Sequence, residues 1–153
     1  MMTYNQFVNR PMALMQRIEH KAEDVAFKWT LCLNTTQGIS ERVQTSPSNS
    51  ADLKIIRYAE ADKELTELQA KYDKACDDVR AFLYGNLDMH DADVLDWRYC
   101  NGKSIKEIAE IRNLTYSGAA NKLNRAEKRA RQKYTQKNRC EKVCELKVAK
   151  NFL

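Results

Sequence analysis

In the middle of this chain, apolar side chains recur at alternating steps of three and four: Tyr58, Ala61, Leu65, Leu68, Tyr72, Ala75, Val79 and Phe82. Only a helix brings that spacing onto one continuous stripe, so a long helix is predicted from about Asp52. A second seam precedes it. Met15, Ile18, Ala22, Val25, Trp29 and Cys32 follow the same rhythm, with Pro11 ahead of them. Pro11 suits the first turn of a helix, where its missing N–H costs nothing. The pattern stops at Asn34. Thr35 to Ser50 is dominated by Ser, Thr, Asn, Gln, Gly and Pro, which predicts a polar loop over about 34–51. Ser48 or Ser50 is the expected N-cap of the helix that follows. Gly85-Asn86 is its expected end, with Gly85 in the left-handed C-cap conformation. Two seamed helices joined by a loop bury their stripes together, so residues 1–87 are expected to form an antiparallel helical hairpin. Such a pair has little core, which leaves two arrangements open: packing on the rest of the chain, or a homodimer through the hairpin. The chain holds only 4 Gly and 2 Pro, too few for the many tight turns of an all-β fold, and the expected class is all-α.

Residues 88–134 read as a helix followed by a helix-turn-helix. The first helix runs from about Asp88 to Tyr99, with Val94, Leu95 and Arg98-Tyr99 on its packing face. Its acidic start, Asp88, Asp91 and Asp93, suits the positive end of a helix dipole. Asn101-Gly102 breaks it. Ser104-Ile105-Lys106-Glu107 is a capping box that opens the next helix, with Ile105, Ile108, Ala109 and Ile111 expected to point inward. Asn113-Leu114-Thr115 is the turn, with Leu114 expected to plug the core and Thr115 to cap the third helix. On that helix Ala119, Leu123 and Ala126 form the buried stripe. The opposite face offers Tyr116, Ser117, Gly118, Asn121, Lys122, Asn124 and Arg125, with no carboxylate before Glu127. A polar, non-acidic first turn is what a helix needs to enter the major groove of double-stranded DNA, and these are the expected base-facing residues.

Charge separates along the chain in the same sense. Residues 1–97 hold 11 Lys and Arg against 16 Asp and Glu, whereas residues 98–153 hold 15 against 5. An acidic front and a strongly basic back suggest a scaffold half and a half that faces a polyanion. Lys103, Lys128, Arg129, Arg131 and Lys133, with Lys137 and Arg139 beyond them, are the expected phosphate contacts. Such contacts give affinity without reading sequence. Residues 135–153 form a basic tail, expected as a weak amphipathic helix or a frayed end.

The run VLDWRYCNGKSIKEIAEIRNLTYSGAANKLNRAEKRAR resembles region 4 of the sigma-70 family. Val94, Leu95, Arg98, Tyr99, Gly102, Ser104, Glu107, Ile108, Ala109, Leu123, Arg125 and Ala126 fall in register with the family pattern. The layout of a hairpin, a Ser-rich loop and a region 4-like module is also similar to small phage and prophage proteins of Gram-positive bacteria. That resemblance implies a transcription regulator acting on DNA in the cytoplasm of a bacterial host. It also implies a second possibility, because region 4 contacts RNA polymerase: an interaction module that binds host polymerase without reading DNA. A small-terminase-like packaging protein, which also joins a helix-turn-helix to helical hairpins, is a third. Nothing resembles the sigma region that opens promoter DNA, and Gly118 and Ala120 stand where the family often has larger polar residues.

Other chemistry has little support. The five cysteines, Cys32, Cys76, Cys100, Cys140 and Cys144, are odd in number and scattered, which favours reduced thiols over a disulfide framework. Cys140 and Cys144 share a helical face but lack a second ligand pair, and His20 and His90 lie far away, so no metal site is expected. Asp96 joins Asp88, Asp91 and Asp93 in an acidic run, for which helix-start electrostatics account more simply than a metal. No phosphate-binding loop, dinucleotide glycine pattern or nucleophile motif occurs, so neither a cofactor nor an enzymatic activity is expected. No stretch approaches the ~20 apolar residues that span a bilayer, and the N-terminus lacks a secretory pattern.

Overall fold

The computed structural model describes the backbone over residues 2–36 and 50–150, and side chains over 2–33 and 52–139. Its elements are all helices: α1 (Tyr4–Thr36), α2 (Ser50–Asn86), α3 (Met89–Tyr99), α4 (Ile105–Ile111) and α5 (Tyr116–Lys150). The chain is all-α over the described residues, as its spacing predicts. The polar segment expected as a loop lies largely outside the described residues, and Ser48 with it. So do the side chains of Ser50, Cys140 and Cys144.

Helix α1 begins at Tyr4, about two turns earlier than Pro11 suggests. Thr3 and Gln6 cap it reciprocally: the Thr3 N–H donates to Gln6 Oε1 at 2.9 Å, and the Gln6 N–H donates to Thr3 Oγ1 at 3.3 Å. Pro11 therefore lies inside the helix rather than at its start. It removes the N–H that would bond to the carbonyl of Phe7, but its ring is fully buried, and that burial offsets the loss. At the other end of the expected hairpin, Gly85 is not a left-handed cap. Helix α2 runs through it to Asn86, whose amide donates to the Phe82 carbonyl at 2.8 Å.

Two compact units divide the chain. In the unit Ala13–Lys74, the α2 seam lies where its spacing places it: Ala61 is buried, and Tyr58, Leu65, Leu68 and Tyr72 are half-buried. The α1 seam differs. Met15, Ile18, Val25 and Cys32 are half-buried, but Ala22 and Trp29 are exposed, and Lys21 and Lys28 take their places in the stripe. Long lysine stems cover apolar surface while their ammonium groups reach charge. Lys21 Nζ lies 2.5 Å from Glu64 and 3.3 Å from Asp24, and Lys28 Nζ lies 2.8 Å from Asp24. Hydrogen bonding to Lys21 holds the Glu64 carboxyl below its ordinary range, and bonding to Lys28 does the same for Asp24. Trp29 packs on the Tyr58 ring at 5.1 Å between centroids. Lower numbers on α1 thus meet higher numbers on α2. Ala61 is the only fully buried residue of this unit among those described, so the unit has almost no core of its own.

The other unit, Met1–Met12 with Ala75–Leu153, holds the core. Val8, Val79, Leu83, Val94, Leu95, Cys100 and Ile108 are fully buried. Helix α5 contributes Ala119, Ala126 and Ala130, small residues that let α3 and α4 approach closely, together with Leu123. An aromatic cluster ties the two ends of the chain. Phe7 stacks on Tyr134 at 5.2 Å, Phe82 meets both edge-on at 5.5–5.7 Å, and Tyr4 packs against Tyr134 at 5.8 Å. Among the described residues Cys32, Cys76 and Cys100 form no disulfide, and burial pushes the Cys100 thiol well above its ordinary pKa.

The acidic run on α3 is not explained by the helix dipole alone. Asp88 occupies the N-cap but makes no side-chain cap bond. Each acidic residue instead meets an arginine from elsewhere. Asp91, 6% exposed, accepts from Arg129 of α5 at 2.6 Å, with Asp88 3.8 Å from the same guanidinium. Asp93 accepts from Arg112, just beyond α4, at 2.9 Å and from the Tyr84 hydroxyl at 3.0 Å. Asp96 accepts from Arg80 of α2 at 2.9 Å. Among the described residues no acidic, His or Cys cluster has the make-up of a metal site.

Three tyrosines are held neutral by this core. Desolvation comes first in each case. Tyr99 adds a hydrogen bond to Glu127, Tyr4 adds the nearby Glu127 charge, and Tyr84 adds its bond to Asp93, with its pKa pushed up to about 12. A raised folded pKa stabilises the fold fully below the unfolded value of ~10 and is lost as pH rises through the folded value. Alkaline absorbance titration should therefore show Tyr4, Tyr84 and Tyr99 ionising late, together with unfolding. Tyr84→Phe and Tyr99→Phe should each remove one from the late group. In the core, Leu95→Ala should cost about 2–5 kcal/mol in urea unfolding, since Leu95 is wholly buried.

Candidate nucleic-acid interface

The segment from Ser104 to Arg125 is built from its caps inward. The Ser104 hydroxyl accepts from the Glu107 N–H at 3.3 Å, and the Glu107 carboxylate accepts from the Ser104 N–H at 2.7 Å. The Ser104 N–H bond, with a second from the Ser104 hydroxyl to the same carboxylate at 2.8 Å, lowers the Glu107 pKa. Helix α4 ends at a left-handed residue, Asn113, with φ 52°. Two bonds close this end: the Leu114 N–H to the Ala109 carbonyl at 2.8 Å, and the Asn113 N–H to the Glu110 carbonyl at 3.2 Å. Asparagine tolerates this conformation because its short polar side chain has little to clash with. The upstream break uses the same device, with Gly102 at φ 63° and the Lys103 N–H bonded to the Trp97 carbonyl at 2.9 Å.

Helix α5 starts on Thr115, whose hydroxyl accepts from the Gly118 N–H at 3.1 Å, as the sequence predicts. The glycine has a local cause. A Cβ at position 118 would lie 3.1 Å from the Thr115 hydroxyl and 3.8 Å from the Leu114 Cβ. Gly118 leaves room for the cap, so its presence need not mark a degraded helix. Two expectations about packing fail here. Leu114 is 37% exposed and Ile111 45% exposed. Helix α4 has only seven residues, so its inward stripe ends at Ile108-Ala109, and the chain reversal at Asn113 leaves Leu114 at the surface. Ile105 is half-buried. Arg112 clamps the turn to α3, with its guanidinium 4.9 Å over the Trp97 ring while it bonds Asp93.

The expected base-facing residues are largely at the surface. Tyr116 is 62% exposed. Ser117, Asn121, Asn124 and Arg125 are exposed, and Gly118 and Lys122 are half-buried. Helical spacing sorts them further. Ser117, Asn121, Asn124 and Lys128 step by four, three and four and so share one face, with Arg125 beside them. Lys122 lies on the flank. Tyr116 is in register with the buried Ala119 and Leu123 but lies at the open end of the stripe. Among the described residues, no carboxylate engages Lys122, Arg125 or Lys128.

The expected phosphate contacts divide. Lys128 and Lys133 are exposed, as are Lys137 and Arg139 further along α5. Lys103 is half-buried, and its carbonyl accepts from Arg98 at 3.1 Å. Arg129 is occupied within the unit, bonded to Asp91, which raises its pKa. Arg131 lies 5.7 Å from the Tyr4 ring centroid and 3.8 Å from Glu127. Spacing alone does not reveal the Arg129–Asp91 bond, whose partners lie 38 residues apart, or the contact of Arg131 with Tyr4 from the other end of the chain. The residues that hold the interface in place, Arg80, Arg112 and the α3 aspartates, carry no local sequence signal beyond their charge.

No protein-family model, curated protein or solved structure matches this chain.

Because Asn113 sits in the left-handed region, Asn113→Val should destabilise the unit by about 1–2 kcal/mol. Asn113→Gly should leave stability unchanged or raised. Denaturant midpoints of the two variants against the parent measure this.

Proposed function

We propose that this chain is a DNA-binding transcription regulator in which α4, the Asn113 turn and α5 form a helix-turn-helix, with α5 as the recognition helix. The observation that carries this reading is the exposed face of the first four turns of α5. It holds Ser117, Asn121, Asn124, Arg125 and Lys128, and no acidic residue intervenes between Glu110 and Glu127. A duplex repels carboxylates and rewards hydrogen-bond donors at base edges, with cations at phosphates beyond them. The resemblance to sigma region 4 supports the same reading and points to a phage or prophage regulator working in a bacterial cytoplasm. In this reading α1 and α2 form the helical scaffold, an antiparallel hairpin. The scarcity of buried residues in Ala13–Lys74 favours its pairing with a second copy. No helix among the described residues is long and apolar enough to cross a membrane, in keeping with an aqueous partner.

The phosphate-facing set is narrower than charge alone suggests: Lys128, Lys133, Lys137 and Arg139, with Arg131 beside them. Arg129 is left out, since its guanidinium neutralises Asp91. The alternative of a polymerase-binding module that does not read DNA rested on Gly118 and Ala120. It loses part of its motive, because the Thr115 cap accounts for the glycine.

Fluorescence anisotropy against duplex DNA at several salt concentrations tests the proposal. With about five phosphates neutralised, affinity should fall by roughly 500-fold between about 50 and 200 mM salt. Lys128→Ala should flatten the log–log slope by about 0.9. Lys122→Ala with Arg125→Ala should weaken binding while leaving the thermal midpoint nearly unchanged. Unchanged affinity and unchanged slope in these variants would overturn the reading.

A further inference from the structure

We infer that the exposed face of α5 selects A·T-rich duplex, with a single guanine toward its C-terminal side. The inference rests on the reading of α5 as a recognition helix and says what that helix reads. Three observations lead to it. Asn121 and Asn124 are exposed on one face, and neither amide has a hydrogen-bond partner among the described residues. A carboxamide matches the N6–H donor and N7 acceptor of adenine in the major groove. Next, Leu114 and Tyr116 bring exposed apolar surface to the N-terminal end of the same helix. Apolar surface at that position fits the C5-methyl group of thymine. Finally, the face has one exposed arginine before Glu127, Arg125, and no carboxylate. Arginine and lysine read guanine, and with Lys122 on the flank and Lys128 one turn further out, Arg125 is the guanine reader of this face; a carboxylate is the acceptor that would read the cytosine amino group. A surface with two adenine readers, a methyl-contacting end, one guanine reader and no cytosine reader is biased in composition.

Dimensions limit the site. Tyr116 to Arg125 spans ~14 Å along the helix axis at ~1.5 Å per residue, or about four steps at ~3.4 Å per base pair. The base-read core is therefore about five pairs: thymine-bearing pairs opposite Tyr116 and Leu114, adenines opposite Asn121 and Asn124, and guanine near Arg125. Lys128 continues the face one turn further, where the groove gives way to the backbone.

The test is selection of bound duplexes from a random-sequence pool by the full chain, followed by measurements on the selected duplex with single-atom changes. The expected result is an A·T-rich core of about four pairs with a guanine at one side. Replacing the core adenines by 7-deazaadenine, which removes the N7 acceptor, should then weaken binding roughly 5- to 150-fold. Replacing thymine by uracil, which removes only the methyl group, should weaken it by a few-fold. Asn121→Ala with Asn124→Ala should erase the adenine preference at two of the core pairs while retaining salt-sensitive binding to any duplex. Two failures are distinguishable. Binding with no A·T enrichment, or with full tolerance of 7-deazaadenine and uracil, overturns this inference and leaves the DNA-binding reading standing. Failure to bind any duplex at low salt overturns both.

Discussion

Helix α3 is the constraint around which the larger unit is arranged. One face supplies Ala92, Val94, Leu95 and Tyr99 to the core, and its acidic residues lie within the packing. Burying an ionised carboxylate without a partner is costly, and removing one member of such a pair leaves the other uncompensated. Each aspartate therefore fixes a cation from another element: Arg80 from α2, Arg112 from the end of α4, Arg129 from α5. Apolar contact alone has no direction. These three directional bonds set how α2, α4 and α5 rotate about α3, and that rotation decides which side of α5 is left outside.

The arrangement separates structural cations from available ones. The C-terminal part of the chain is strongly basic, but its arginines are not equivalent. Arg112 and Arg129 are neutralised by α3, whereas Lys122, Arg125 and Lys128 meet no carboxylate among the described residues. What faces outward is thus selected by position on the helix rather than by composition. Three carboxylates of this unit lie on α3, with Asp91 and Asp96 buried, and their charge is met there by arginine, whereas Glu107 and Glu110 of α4 stay exposed.

Much of the fold was legible in the sequence because the signals involved are local. The three-and-four spacing of α2 placed its buried stripe from Tyr58 to Phe82. The Ser104–Glu107 box, the Gly102 break and the Thr115 cap lie within six residues of the backbone groups they satisfy. The misreadings share a different cause. Pro11 looked like a helix start because the Thr3–Gln6 box ahead of it went unused. Ala22 and Trp29 looked buried because hydropathy outranked the lysine stems that cover the stripe instead. Leu114 looked like a core plug because its apolar character was weighed without the left-handed turn that precedes it. The aspartate–arginine bonds, at separations of 16 to 38 residues, were beyond any local pattern.

Gly118 shows how one residue reads differently at the two levels. In sequence, a glycine inside a helix costs ~1 kcal/mol relative to alanine and suggests weakened reading. In the structure it stands three residues after Thr115, where any side chain would press on the hydroxyl that starts α5. A well-made start matters most for this helix, since Tyr116 to Arg125 all lie within its first three turns. The helix tolerates a poor helix former so that its first turn is fixed, and fixing that turn is what aligns Ser117, Asn121 and Asn124 on a single outward face.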